Sequence, residues 1–307
     1  MKLGFLTACL PNIDLDPLVS WASGQGFQTL ELAAWPVCSG RDRQAHQIDA
    51  EAFTTCDAAR VNDLFAKHGM SISSLAYYEN NLEPDPAKHA IILNHLRKVI
   101  DAASMLGVKL VGTFVGARPD RTDDQNMKEI GRLFRDLTAY SADKGVSLMI
   151  ENCPMEGWQQ QGLPGNLAYS PELWDALFNE VPAGNFGLNF DPSHLCWLGI
   201  DYSQAARDFA GKILHVHAKD VEIVAGGVYR FGILGRRLSP APGKTGWWRY
   251  RLPGQGQVDW KSLISTLREC GYNDVLSIEL EDPDWEGSEE RVKSGLRHGR
   301  EFLSQFA

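Results

Sequence analysis

Eight short apolar runs alternate along the chain with longer segments of helical period: KLGFLTACL (2–10), TLELAAW (29–35), SISSLAYYE (71–79), LVGTFVG (110–116), SLMIENC (147–153), FGLNFDPSH (186–194), ILHVHAKD (213–220) and VLSIELED (275–282). Their length and enrichment in β-branched and aromatic residues predict strands. Segments such as VNDLFAKHGM, NMKEIGRLFRDLTAYSADKG and DWKSLISTLRECG lie between them, and most of these stop at a glycine, as helix C-termini do. Ser170 ahead of Pro171 reads as an N-cap followed by proline at the first helical position.

Strict alternation of strand and helix predicts an α/β protein with a parallel sheet covered by helices. Eight repeats in 307 residues fit closure into a single (β/α)₈ barrel spanning 1–307. A doubly wound open sheet would be expected to carry a glycine-rich turn after its first strand, and TACLPNID has none. One feature breaks the spacing. Residues 221–258, after the seventh strand, are too long for a plain connection and form an inserted arm or lid. Trp247, Trp248 and Tyr250 favour order there, and Arg230, Arg236, Arg237, Lys244, Arg249 and Arg251 face only Glu222. The expected arm is a hairpin that packs on a neighbouring subunit, covers the barrel mouth, or does both. Its basic character suits an anionic substrate group or an acidic partner surface.

Composition narrows the partner. With 44% hydrophobic and 22% charged residues the chain is globular, and a formal charge of -9 argues against binding nucleic acid or an anionic membrane through a basic surface. No apolar run approaches the length of a spanning helix, and MKLGFLTACL reads as a strand rather than a signal peptide, so a cytoplasmic protein is expected. Cys9, Cys38, Cys56, Cys153, Cys196 and Cys270 are scattered without a CxxC pair, which predicts reduced thiols. A small molecule is the expected partner.

Strand alternation then locates the chemistry. In SLMIE, Leu148 and Ile150 share one face and Met149 and Glu151 the other. If the aliphatic face meets the helices, Glu151 points into the barrel mouth. The same reading turns Asn189 and Asp191 inward on the sixth strand, His215 and His217 on the seventh, and Ser277, Glu279 and Glu281 on the eighth. The C-terminal rim is where barrels of this kind hold their chemistry. Three carboxylates gathered there raise one another's pKa unless a positive charge sits among them. Glu151, Asp191, His217 and Glu279 therefore form a candidate site for one divalent metal ion, with Mn²⁺ the first choice and Mg²⁺, Co²⁺ or Zn²⁺ the alternatives. His215 lies deeper and buttresses His217 in this reading. Glu281 replaces Glu279 if the strand ends two residues later.

The pieces IENCP, NFDPSH, HVHAKD, PGQGQVDW and LSIELED, in this order, resemble the xylose isomerase-like TIM-barrel superfamily of sugar phosphate isomerases and epimerases. By this resemblance Glu151, Asp191, His217 and Glu279 match the metal ligands, and His194 and Glu156 match positions that contact substrate. Lys219 stands where an arginine often follows the histidine, and is read as a third substrate contact. The resemblance implies a carbohydrate substrate whose carbonyl is polarised by the metal, with Glu151 and Glu279 transferring a proton through a cis-enediolate. A homo-oligomer, dimer or tetramer, is expected. A keto-sugar or inosose dehydratase would use much of the same equipment, and a non-catalytic sugar-binding subunit is the third reading. Trp35, Tyr78 and Trp197 are candidates to stack on a sugar face or to pack the rim loops.

Overall fold

The computed structural model describes residues 1–37, 45–155, 164–236, 238 and 246–307. Eight strands build the barrel: β1 (Lys2–Phe5), β2 (Thr29–Ala33), β3 (Ser71–Ala76), β4 (Leu110–Thr113), β5 (Ser147–Glu151), β6 (Phe186–Phe190), β7 (Ile213–Ala218) and, after an inserted hairpin of β8 (Asp220–Ile223) and β9 (Trp248–Arg251), β10 (Val275–Ile278). The described α-helices are α1 (Leu15–Gly24), α2 (Thr55–Lys67), α3 (Pro86–Leu106), α4 (Asp123–Asp143), α5 (Pro171–Glu180), α6 (Pro192–Leu198), α7 (Tyr202–Asp208), α8 (Ala225–Phe231), α9 (Trp260–Glu269) and α10 (Glu289–Leu303).

The strands run in the order β1-β10-β7-β6-β5-β4-β3-β2, every adjacent pair parallel. The remaining seam, between β1 and β2, is narrow. A single parallel bridge joins Leu6 to Glu31, and the Gln28 amide donates to the Leu3 carbonyl at 2.9 Å. Gly4 permits this approach, because a Cβ there would lie 2.5 Å from the Thr29 carbonyl oxygen, which is backbone and cannot swing aside. Gly4→Ala is therefore expected to cost about 1–3 kcal/mol by overpacking. Urea denaturation measures it, and an unchanged midpoint would mean that the seam has slack.

The helix-facing residues on the later strands are Leu148, Ile150, Phe186, Leu188, Phe190, Val216, Leu276 and Ile278, all buried in one hydrophobic core. Local signals act as the sequence suggests. The Ser170 hydroxyl caps α5 by accepting from the Leu173 amide with Pro171 at the first position, and Thr122 and Gln125 form a capping box at α4. Every barrel strand ends earlier than its apolar run. The last ladder bond closes at Ile278 rather than near Asp282, and the residues beyond it leave as rim loops that carry polar side chains upward.

The insertion is a hairpin at its base, pairing Asp220 with Arg251 through Ile223 with Trp248, and it carries the short α8. The basic residues on β9 meet acids of the same chain. Arg249 donates to Glu222 at 2.8 Å, and Arg251 reaches Glu222, Asp282 and Asp284 at 3.2, 3.2 and 2.8 Å. Arg237 and Lys244 lie outside the described residues. Cys56, Cys153, Cys196 and Cys270 are free thiols, the Cys9 thiol donates to the Leu6 carbonyl at 3.3 Å, and Cys38 lies outside the described residues. No described helix is long and apolar enough to cross a membrane.

Candidate functional site

Four strand ends bring Glu151, Asp191, His217 and Glu279 together, so that one donor atom from each lies within 4.8 Å of the others. Glu151 is the last residue of β5. Asp191 leaves β6 and turns at once into α6, whose N-terminus it caps, its Oδ1 accepting from the Ser193 amide at 2.8 Å. Asn152 grips the same residue from the other side, donating to the Asp191 carbonyl at 2.8 Å and accepting from its amide at 2.7 Å. With one carboxylate oxygen and both peptide groups committed, Asp191 presents Oδ2 to the centre.

His217 is oriented from below. Its Nε2 donates to Glu31 Oε2 at 2.9 Å, and that carboxylate also accepts from Ser277 at 2.9 Å and from Tyr78 at 2.7 Å. Asn189 donates to the Tyr78 oxygen at 2.6 Å and accepts from His215 Nδ1 at 2.9 Å. His215 thus connects to His217 through a chain of three residues, Asn189, Tyr78 and Glu31. Because an ionised carboxylate only accepts, the Nε2 proton of His217 is committed to Glu31, and Nδ1 is left facing Glu279 at 3.1 Å and Glu151 at 3.4 Å. Burial disfavours the charged form of Glu31, but the neighbouring imidazoles of His217 and His215 outweigh it and hold the carboxyl down to about 2. Burial likewise lowers His215 to about 4.

One ammonium sits in the cluster. Lys219, 1% exposed, places Nζ 2.6 Å from Glu279 Oε2, 3.1 Å from Asp191 Oδ2, 3.2 Å from Glu281 Oε2 and 3.7 Å from Glu151 Oε1. Only the contacts to Glu279 and Glu281 have hydrogen-bond geometry. Burial opposes ionisation of Glu151, and Lys219 with the His194 and His217 rings overcomes it, bringing the carboxyl to about 2. Even so, Glu151 Oε1, Asp191 Oδ2 and His217 Nδ1 are buried without a hydrogen-bond partner among the described residues. Three hard or borderline donors that make no hydrogen bond and converge at one place fit a divalent cation. His217 Nδ1 is the nitrogen whose proton such a cation would displace.

Above the cluster opens a cleft of about 470 Å³, lined in part by Trp35, Tyr78, Phe114, Lys219, Tyr250 and Glu281. Of the aromatic candidates, Trp35 and Tyr78 line this cleft, whereas Trp197 stacks on Trp248 with centroids 4.6 Å apart. His194 is buried with Nε2 3.2 Å from Asp191 Oδ2 and 3.4 Å from Glu151 Oε1. Glu156 lies outside the described residues. Glu281 stands at the rim beside Lys219, so Glu279 is the member of the cluster. Sequence reasoning missed Glu31 and Tyr250. The period-two rule, applied to TLELA, would have turned Glu31 inward between Leu30 and Leu32. No local pattern marks Tyr250.

Barrel topology and a rim of convergent carboxylate and imidazole donors define a (β/α)₈ protein with a candidate metal centre at its C-terminal mouth. The sequence profile described as xylose isomerase-like TIM barrel matches residues 19–304, and the chain belongs to that family. Across 99% of both chains it is 28% identical to the uncharacterised protein YfiH of Bacillus subtilis (strain 168). Inosose isomerase of Bacillus licheniformis is 24% identical over 249 residues, 77% of each chain. Among solved structures, the IOLI protein with a binding zinc atom superposes with a TM-score of 0.72 at 20% identity, covering 100% of this chain and 99% of that one.

Proposed function

We propose that the protein is a divalent-metal-dependent isomerase or epimerase of a small keto-sugar or cyclic polyol ketone, with Glu151, Asp191, His217 and Glu279 as the metal ligands. The observation that carries this reading is the set of buried donor atoms without hydrogen-bond partners that converge at the barrel mouth. Bound there, Mn²⁺, or Mg²⁺, Co²⁺ or Zn²⁺ in its place, supplies Lewis-acid polarisation of a carbonyl oxygen and so acidifies the adjacent C–H. The inosose isomerase relative supports the ketone class.

The protein's own groups do the rest. Glu151 and Glu279 come from β5 and from the loop after β10, and one carboxylate takes the proton from carbon while the other returns it. Return to the opposite face of the same carbon epimerises it; return at the neighbouring carbon interconverts ketose and aldose. His194 Nε2 and Lys219 Nζ are donors for substrate oxygens, and Trp35, Tyr78, Phe114 and Tyr250 give the cleft an aromatic wall against which a carbon skeleton packs. The ammonium of Lys219 also favours a second reading, because it can protonate a departing hydroxyl and turn the same enediolate toward elimination.

The test is incubation of metal-loaded protein with ketoses, inososes and 3-keto-sugars in D₂O, followed by NMR. Deuterium at carbon with an isomeric product supports the isomerase, and an unsaturated product the dehydratase. A panel with no exchange at all defeats both and leaves a sugar-binding subunit. Glu31 gives an independent check. Glu31→Gln removes the charge behind His217 and is expected to weaken Mn²⁺ binding on the order of 10- to 100-fold by calorimetric titration. An unchanged affinity would show that the charge of Glu31 does not act on the metal through His217.

A further inference from the structure

The inserted hairpin reaches back into the cleft and packs on α6, two residues of β9 meeting its side chains directly. Trp248 on β9 stacks on Trp197 with rings 9° from parallel, and Tyr250, two residues further along the same face of the strand, meets His194. His194 and Trp197 are three residues apart and lie one helical turn from each other, which matches the two-residue step of the strand. The Tyr250 hydroxyl lies 3.1 Å from His194 Nδ1, the two rings meeting edge to face at 82°. Lys219 Nζ stands over the Tyr250 ring, 4.5 Å from its centroid, and the tyrosine lines the cleft.

The hairpin that carries Tyr250 is firmly rooted. At its base Asp220 accepts from the amides of Val221, Gly254 and Val258 and from the Trp260 indole. Tyr250 is therefore held by a rooted element and not by a free loop. Its hydroxyl can serve either state of the imidazole, accepting from an Nδ1–H or donating to an Nδ1 lone pair. In both, the other nitrogen of His194 stays aimed at the rim between Asp191 and Glu151, beneath the cleft.

We propose that Tyr250 is a positioning residue, through which the insertion holds His194 Nε2 against Asp191 and Glu151 and completes one wall of the cleft. Its catalytic consequence rests on the reading of that cleft as a sugar site. The insertion is then part of the active site.

The test uses full-length, Zn²⁺-loaded protein labelled with ¹⁵N-histidine, comparing the parent with Tyr250→Phe and assigning His194 by the signals lost in His194→Gln. Tyr250→Phe keeps the ring and removes one hydroxyl. The His194 Nδ1 resonance is expected to shift, and exchange into D₂O at saturating substrate is expected to slow on the order of tenfold. Unchanged resonances overturn the proposal whatever happens to the rate, and so does a shifted resonance with an unchanged rate. If the parent exchanges no compound in the panel, the functional reading fails separately, and the imidazole resonances alone decide whether Tyr250 positions His194.

Discussion

Glu279→Gln is expected to slow deuterium incorporation in D₂O by at least about 10³-fold, and Glu151→Gln to do the same. Glutamine keeps the shape of the side chain but neither removes a proton from carbon nor offers an anionic oxygen to a cation. The two glutamates are differently held. Glu279 accepts from Lys219 at 2.6 Å, while Glu151 Oε1 lies 3.4 Å from both His194 Nε2 and His217 Nδ1. Both substitutions also weaken metal binding, so rates are compared at saturating Mn²⁺. A residual exchange rate within tenfold of the parent in both variants would show that neither carboxylate transfers the proton.

Lys219→Met is expected to destabilise the chelator-treated protein by about 3–5 kcal/mol, the cost of breaking a buried ion pair by removing one partner. The methionine has nearly the same shape as the lysine stem, so packing is conserved and charge is the variable. Without the ammonium, Glu151, Asp191, Glu279 and Glu281 face one another with the two nearby imidazoles as their remaining counter-charge in the cluster. Adding Mn²⁺ is expected to restore more stability to the variant than to the parent, because ion and ammonium draw on the same carboxylates. Urea denaturation with and without metal measures both quantities. Equal stability of variant and parent in chelator would mean that Lys219 is not the charge that balances the cluster.

Much of this protein is legible from periodicity. Strand and helix alternate eight times, and a parallel sheet closed into a barrel is the compact way to bury that many two-faced strands. Within SLMIE, FGLNFD, ILHVH and VLSIE the period of two decides which side each residue takes, so Glu151, Asp191, His217 and Glu279 were identifiable as a set before any contact was known. Strand ends were less legible, because an apolar run continues into the rim loops while the ladder bonds stop, as at Ile278.

Glu31 shows the limit. Its direction follows from the alternation in β2, yet its partner His217 lies 186 residues away, and the two meet across the barrel interior. Tyr250 is beyond that limit, because the pairing of β8 with β9 inside a long insertion decides that its ring reaches His194. A backbone repeat determines on which face of its own element a side chain lies. Which distant side chains share that space follows from closure of the sheet and docking of the hairpin, and no stretch of local sequence contains those events.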